Sequence, residues 1–144
     1  MHDIQRRQLA FAYAGDWQGN LWRFEIGDPS PSNWTLGFGA KPLFKARTPS
    51  GGVQRITAKP RVISDRILGR VIVVGTGKLL ELVDKDDVSV QSIYGIYDRP
   101  SSASTAQRSD LTQQTITSQS ATLRSTSFNA LGTNSAGWYL DLNP

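Results

Sequence analysis

Two runs of alternating side chains, set on either side of a glycine-bounded turn, restrict the fold more than any other feature of this chain. In Leu9-Ala-Phe-Ala-Tyr-Ala14, large and small residues alternate, so Leu9, Phe11 and Tyr13 share one face and Ala10, Ala12 and Ala14 the other. In Asn20-Leu-Trp-Arg-Phe-Glu-Ile26, Trp22, Phe24 and Ile26 point one way, Arg23 and Glu25 the other. A period of two is a strand period, not a helical one. Between the runs lies Gly15-Asp-Trp-Gln-Gly19. Asp16 is placed to accept from the backbone N–H near Gln18, and Gly19 tolerates positive φ. The segment is therefore predicted to be a β-hairpin with a type I turn closed by a left-handed residue. Trp22 and Phe24 are expected to pack a sheet layer, each worth on the order of 2–3 kcal/mol when buried.

The rest of the chain repeats the theme in short units. Trp34–Phe38 and Pro42–Ala46 read as brief strands, and Thr48-Pro-Ser-Gly-Gly52 as a turn. Ile56–Ile63 reads as a strand that Pro60 confines to an edge or a bulge. Arg70-Val-Ile-Val-Val74 is apolar on both faces and is expected to be an inner strand. Lys78–Val83 is predicted to return as a strand, Asp84–Val88 to form one helical turn capped by Asp84, and Ser89–Asp98 to be a further strand. From Ser101 to Ser127, eighteen of 27 residues are Ser, Thr or Gln. That composition predicts a mobile loop at 99–107, with strands near 110–117 and 121–128 where Thr and Ile recur. Gly137–Leu142 is the last strand. Many short strands punctuated by turns give an all-β protein: a propeller part, a sandwich or a barrel.

Composition removes several chemistries. The 144 residues are one domain by length and contain no cysteine, so disulfides, zinc–thiolate sites and cysteine nucleophiles are excluded within them. The single histidine, His2, cannot build a triad or a multi-histidine metal site. The start, MHDIQRRQ, lacks the apolar core of a signal peptide, and no apolar run is long enough to span a membrane. The last residues, Trp138–Pro144, read as a strand cut short, so a fragment of a longer exported chain is expected.

Net charge is +4 but uneven. Lys41, Lys45, Arg47, Arg55, Lys59, Arg61, Arg66 and Arg70 face Asp65 alone, a local +7. A patch for an acidic partner is one reading; solvated strand faces and edges, where Lys discourages pairing, are the preferred one.

Three motifs bear on chemistry. Val74-Gly-Thr-Gly-Lys78 fails as a phosphate loop, because Ile72 stands where the first glycine is needed and Leu79 where a Ser or Thr hydroxyl would bind magnesium. Glu81, Asp84, Asp86 and Asp87 surround Lys85, but no glycine follows as a calcium loop requires, and a capped, solvated turn fits better. Asp16, Gly19 and Asn20 form too short a loop for an oxygen cage, and the hairpin already explains each of them. No catalytic or metal-ligating residue is assigned, and the binding residues stay unknown.

Taken in order, the strings YAGDWQGNLWRFEI, Gly39-Ala-Lys-Pro-Leu-Phe44, Ile56-Thr-Ala-Lys-Pro60, Val74–Lys78, Val90–Asp98, Arg108-Ser-Asp-Leu-Thr-Gln-Gln114 and Gly137–Leu142 carry more than any one of them. The chain resembles the PilC/PilY family of type IV pilus biogenesis factors and tip-associated adhesins over roughly residues 10–143. The resemblance implies a partial β-propeller of about two blades with antiparallel sheets, from the family's C-terminal region. As one domain, residues 1–144 would divide into main blades at about 9–98, a polar loop and strand segment at 99–128, and the start of a next strand at 129–144. The resemblance further implies a non-enzymatic role in pilus assembly, opposing retraction, and in attachment to a host or abiotic surface. Its partners would be pilus components or minor pilins, with no nucleic acid, and its site the outer membrane, cell surface or pilus tip. Unpaired sheet edges would also invite self-association. The family's calcium loop precedes the YAGD stretch; His2–Leu9 shows none, so no cofactor is expected within these residues and calcium is left to the parent protein. The competing readings are a quinoprotein-like propeller enzyme and a basic module for an acidic partner.

Overall fold

The computed structural model describes residues 10–65, 69–99 and 105–142. The first hairpin forms as its alternation dictates. β1 (Phe11–Gly15) and β2 (Asn20–Glu25) pair antiparallel, with Tyr13 opposite Arg23 and Ala14 opposite Trp22. Two short strands, β3 (Thr35–Leu36) and β4 (Phe44–Lys45), pair with successive halves of β2 to complete a four-stranded sheet. The second sheet runs β5 (Arg61–Asp65), β6 (Gly69–Gly75), β7 (Gln91–Asp98), β11 (Gly137–Leu142) and β8 (Thr112–Gln114). All its pairings are antiparallel except β11 with β8. A two-stranded hairpin, β9 (Ile116–Gln119) with β10 (Arg124–Thr126), stands beside it.

The two larger sheets face each other across one core. Leu21, Leu43, Phe44, Ala46 and Ile56 come from the first layer, and Ile72, Val74, Tyr94, Ile96 and Tyr139 from the second. The Phe44 and Tyr94 rings lie 4.7 Å apart at a tilt, within the range where aromatic pairs add to area burial. β6 is an inner strand as expected, with Val71, Ile72 and Val74 all buried.

Four expectations change. The buried face of β2 carries Leu21 and Arg23, while Trp22 is half-buried on the other face with Phe24. Leu21 has an aliphatic body that fits between sheets, and Arg23 finds its counter-charge there. The strand expected at 34–38 stops at Leu36. Phe38, Gly39 and Ala40 take left-handed backbone, at φ 56°, 64° and 61°. For Phe38 and Ala40 this costs about 1–2 kcal/mol each. Lys78–Val83 is not a strand. It leads into a 3₁₀ turn, Leu82–Asp86, capped by Glu81, with Asp84 at the third position instead of the cap. The strand expected over Ile56–Ile63 begins only after Pro60, and as foreseen it is an edge. Of the loop expected at 99–107, residues 100–104 lie outside the described residues.

Candidate functional site

The turn that opens the chain is organised by one carboxylate. Asp16 Oδ1 accepts from the backbone N–H of Gln18 at 2.8 Å and of Asn20 at 2.9 Å. Its Oδ2 accepts from Asn20 Nδ2 and the Trp22 indole N–H, both at 2.8 Å. Its main-chain carbonyl accepts from Gly19 and Ile56. Burial pushes this carboxyl up, but the bonds from Trp22, Asn20 and Gln18 outweigh it and hold the group below the usual carboxylate range. Every oxygen of Asp16 is thus engaged in shaping the turn. Gly19 sits at φ 71°, and a Cβ there would lie 2.5 Å from the Gln54 carbonyl oxygen. The predicted hairpin chemistry is present, and it ties the turn to the Gln54–Ile56 segment.

Two polar clusters bridge the layers, and neither was foreseen. The first surrounds Asp98, whose side chain is wholly buried at the end of β7. It accepts from the Tyr13 hydroxyl at 2.5 Å, Arg23 at 2.7 Å and Arg70 at 3.2 Å. The Arg23 guanidinium lies between the Phe11 and Phe38 rings, 5.0 and 3.9 Å from their centroids, and also bonds Glu25 at 2.7 Å. The left-handed turn therefore has a use: it carries Phe38 over Arg23, a cation–π contact that offsets part of the backbone cost. Burial and the neighbouring Asp98 both push the Tyr13 hydroxyl above the usual phenol range. It stays protonated, as a donor to a carboxylate must.

The second cluster is a chain of hydrogen bonds. Arg108 holds Asp141 in a two-pronged pair, at 3.0 and 2.5 Å. Asp141 accepts from Ser92 Oγ at 2.6 Å, and Ser92 Oγ accepts from Gln54 Nε2 at 2.9 Å. Gln54 Oε1 in turn accepts from the Tyr94 hydroxyl. Arg108 also lies over the Tyr139 ring, 3.9 Å from its centroid. Burial lowers the guanidinium's proton affinity, but the bonds to Asp141 and Tyr94 outweigh it, and its pKa is raised. A groove of about 540 Å³ opens above this cluster, lined by Arg47, Gln107, Arg108, Tyr139 and Asp141 among others.

Both clusters close on themselves. Their carboxylates are paired with guanidinium groups and their hydroxyls donate inwards, so the geometry braces two sheets and presents no activated nucleophile or free base. Arg23 Nε is the exception, a buried donor without a hydrogen-bond partner. Alternation puts Arg23 on the face opposite Trp22 and Phe24, but it reports which residues share a face, not which face is buried. The signal available was an aspartate ending the apolar run SIYGIYD, a charge with nowhere to go but into a pair.

The other candidates separate. Lys41, Lys45, Arg55, Lys59 and Arg61 of the basic stretch are exposed. Arg47 donates to the Gln18 and Ala46 carbonyls, and Arg70 belongs to the Asp98 cluster. Arg66 lies outside the described residues. In the acidic turn, Asp84 accepts from the N–H groups of Leu80 and Glu81 and pairs with Lys78 at 2.9 Å. Gly77 accepts from Thr57 Oγ1 and donates to Arg55, so the Val74–Lys78 turn is built into the sheet connection. Among the described residues, no three His, Asp or Glu side chains come together to hold a metal, and no helix is long and apolar enough to cross a membrane.

Mainly antiparallel sheets stacked face to face, one of them opened by an Asp-x-x-Gly hairpin, and both left with open edges, define part of a β-propeller. Residues 6–129 match the family model described as the PilY1 beta-propeller domain, and the chain belongs to that family. It is 32% identical to the type IV pilus biogenesis factor PilY1 of Pseudomonas aeruginosa over 91% of its own length and 15% of that protein's. A PilY1 homolog from Xylella fastidiosa is 37% identical over 90% of this chain and 10% of its own. The crystal structure of the Pseudomonas aeruginosa PilY1 C-terminal domain superposes with a TM-score of 0.78 at 34% identity, covering 91% of this chain and 35% of that one. The chain thus spans a small part of the relatives it matches.

Proposed function

We propose that this chain is a non-enzymatic, load-bearing part of a type IV pilus biogenesis factor. It supports pilus assembly by opposing retraction and contributes to attachment on a host or abiotic surface. Its blades come mainly from about residues 9–98, with 99–128 as a polar connection and 129–144 supplying the next strand. It acts after export, at the outer membrane, the cell surface or the pilus tip, with pilus components or minor pilins as partners. The family match over residues 6–129 carries this reading. The internal pairing of the Asp16, Asp98 and Asp141 carboxylates supports it, since groups paired in this way serve rigidity. A domain under mechanical load gains from such bracing between layers.

The test places Asp98→Asn in the full-length parent protein in its own bacterium. Surface pili are expected to fall and to return when the retraction motor is deleted. Normal piliation in the variant would refute a role for this domain in assembly. Loss that persists without the motor would refute opposition to retraction.

A further inference from the structure

The connection from β6 to β7 displays an aliphatic surface. Leu79, Leu80, Leu82, Val83 and Val88 are 76%, 63%, 87%, 71% and 80% exposed, five large apolar side chains within ten residues. Scattered exposed aliphatics are ordinary, but a contiguous set marks an interaction surface. The backbone that presents them is fixed. Glu81 and Asp84 form a reciprocal capping box, and Lys78 is held by Glu81 at 2.7 Å and by Asp84 at 2.9 Å. A patch ordered before contact loses less entropy on binding.

Its charges narrow the occupant. Residues 78–88 carry Glu81, Asp84, Asp86 and Asp87 against Lys78 and Lys85, whereas residues 55–61 carry Arg55, Lys59 and Arg61 and no acid. All three of these cations are exposed. The two segments are stitched together: Gly77 N–H donates to the Arg55 carbonyl at 2.9 Å, and Thr57 Oγ1 donates to the Gly77 carbonyl at 2.8 Å. An acidic, apolar half therefore lies directly beside a basic half. A patch of this kind complements itself, because a two-fold axis sets each half over its opposite on a second copy. We propose that this surface is a self-association site, with the 79–88 loop of each copy seated on the 55–61 segment of the other. Carboxylates then meet cations at the rim while the leucines and valines leave water.

The experiment is sedimentation velocity on the chain, from about 1 to 300 µM, at low and high salt. A monomer–dimer equilibrium weakened by salt is expected. Lys59→Glu with Arg61→Glu makes both halves acidic; Asp86→Lys with Asp87→Lys makes both basic. Each double variant alone is expected to be at least tenfold weaker in association, and an equimolar mixture to form a heterodimer, since both reciprocal contacts are then complementary. Thermal melts confirm that these exposed changes leave the fold intact. Leu79→Ser with Leu82→Ser is expected to weaken association to the same degree. A monomer at every concentration would overturn the proposal. So would a dimer indifferent to these changes, a mixture that stays monomeric, or a dimer abolished only by Ile63→Lys on the open β5 edge.

Discussion

Asp98→Asn tests the architecture most directly. The substitution keeps the shape and one acceptor but removes the charge facing two guanidinium groups. Arg70 is 35% exposed and can turn to water, whereas the Arg23 side chain is 11% exposed and cannot. Among the described residues Arg23 then keeps Glu25 as its one counter-charge, itself 43% exposed. Stranding one member of a buried pair costs about 3–5 kcal/mol. At an m-value of about 2 kcal/mol per molar, the urea midpoint should fall by roughly 1.5–2.5 M with the slope unchanged. Adding Arg23→Met removes the stranded charge and leaves an apolar stem between Phe11 and Phe38. The double variant should therefore be more stable than the sum of the two single losses predicts, by about 1–3 kcal/mol of coupling. Equilibrium urea unfolding followed by tryptophan fluorescence reads both quantities. An Asp98→Asn midpoint within about 0.5 M of the parent, or strict additivity in the cycle, would refute the claim that this pair braces the sheets.

Three further outcomes follow from the same structure. Asp16→Ala should cost about 1–3 kcal/mol by leaving turn donors unpaired, whereas Gln18→Ala, at an exposed position, should be near neutral. Because the folded-state pKa of Asp16 lies below its unfolded value, its contribution is complete above the ordinary carboxylate pKa and is lost as pH falls through the folded one. The parent should therefore lose stability below about pH 4 more steeply than Asp16→Ala, as read by melts across pH 2–6. Gly95→Ala should destabilise by about 1–3 kcal/mol or more, since its Cβ would lie 2.4 Å from the Trp138 indole; thermal unfolding measures it.

Local chemistry wrote much of this fold into the sequence. The hairpin at 11–25 follows from alternation plus an Asp and a Gly at fixed offsets, both of which act within a few residues. β6 follows from its unbroken apolar run Val71–Val74, β7 and β11 from their Ile, Tyr, Trp and Leu content, and Pro60 sets where β5 can begin. The family resemblance was legible for the same reason, because turn residues and strand patterns recur in order along the chain.

What lay beyond reach was decided between segments far apart in sequence. Alternation could not say that Leu21 and Arg23 face inwards, since that depends on which side the second sheet packs. Lys78–Val83 had strand content, but its Leu80 and Glu81 N–H groups are taken by the Asp84 carboxylate, which closes the backbone into a turn instead. Arg23, Arg70 and Tyr13 acquire their partner only when Asp98 arrives from as many as 85 positions away, and Arg108 only when Asp141 does. A buried charge is tolerable only with its counter-charge at contact distance. Which residues satisfy that condition is a property of the assembled layers, and no single stretch of the chain contains it.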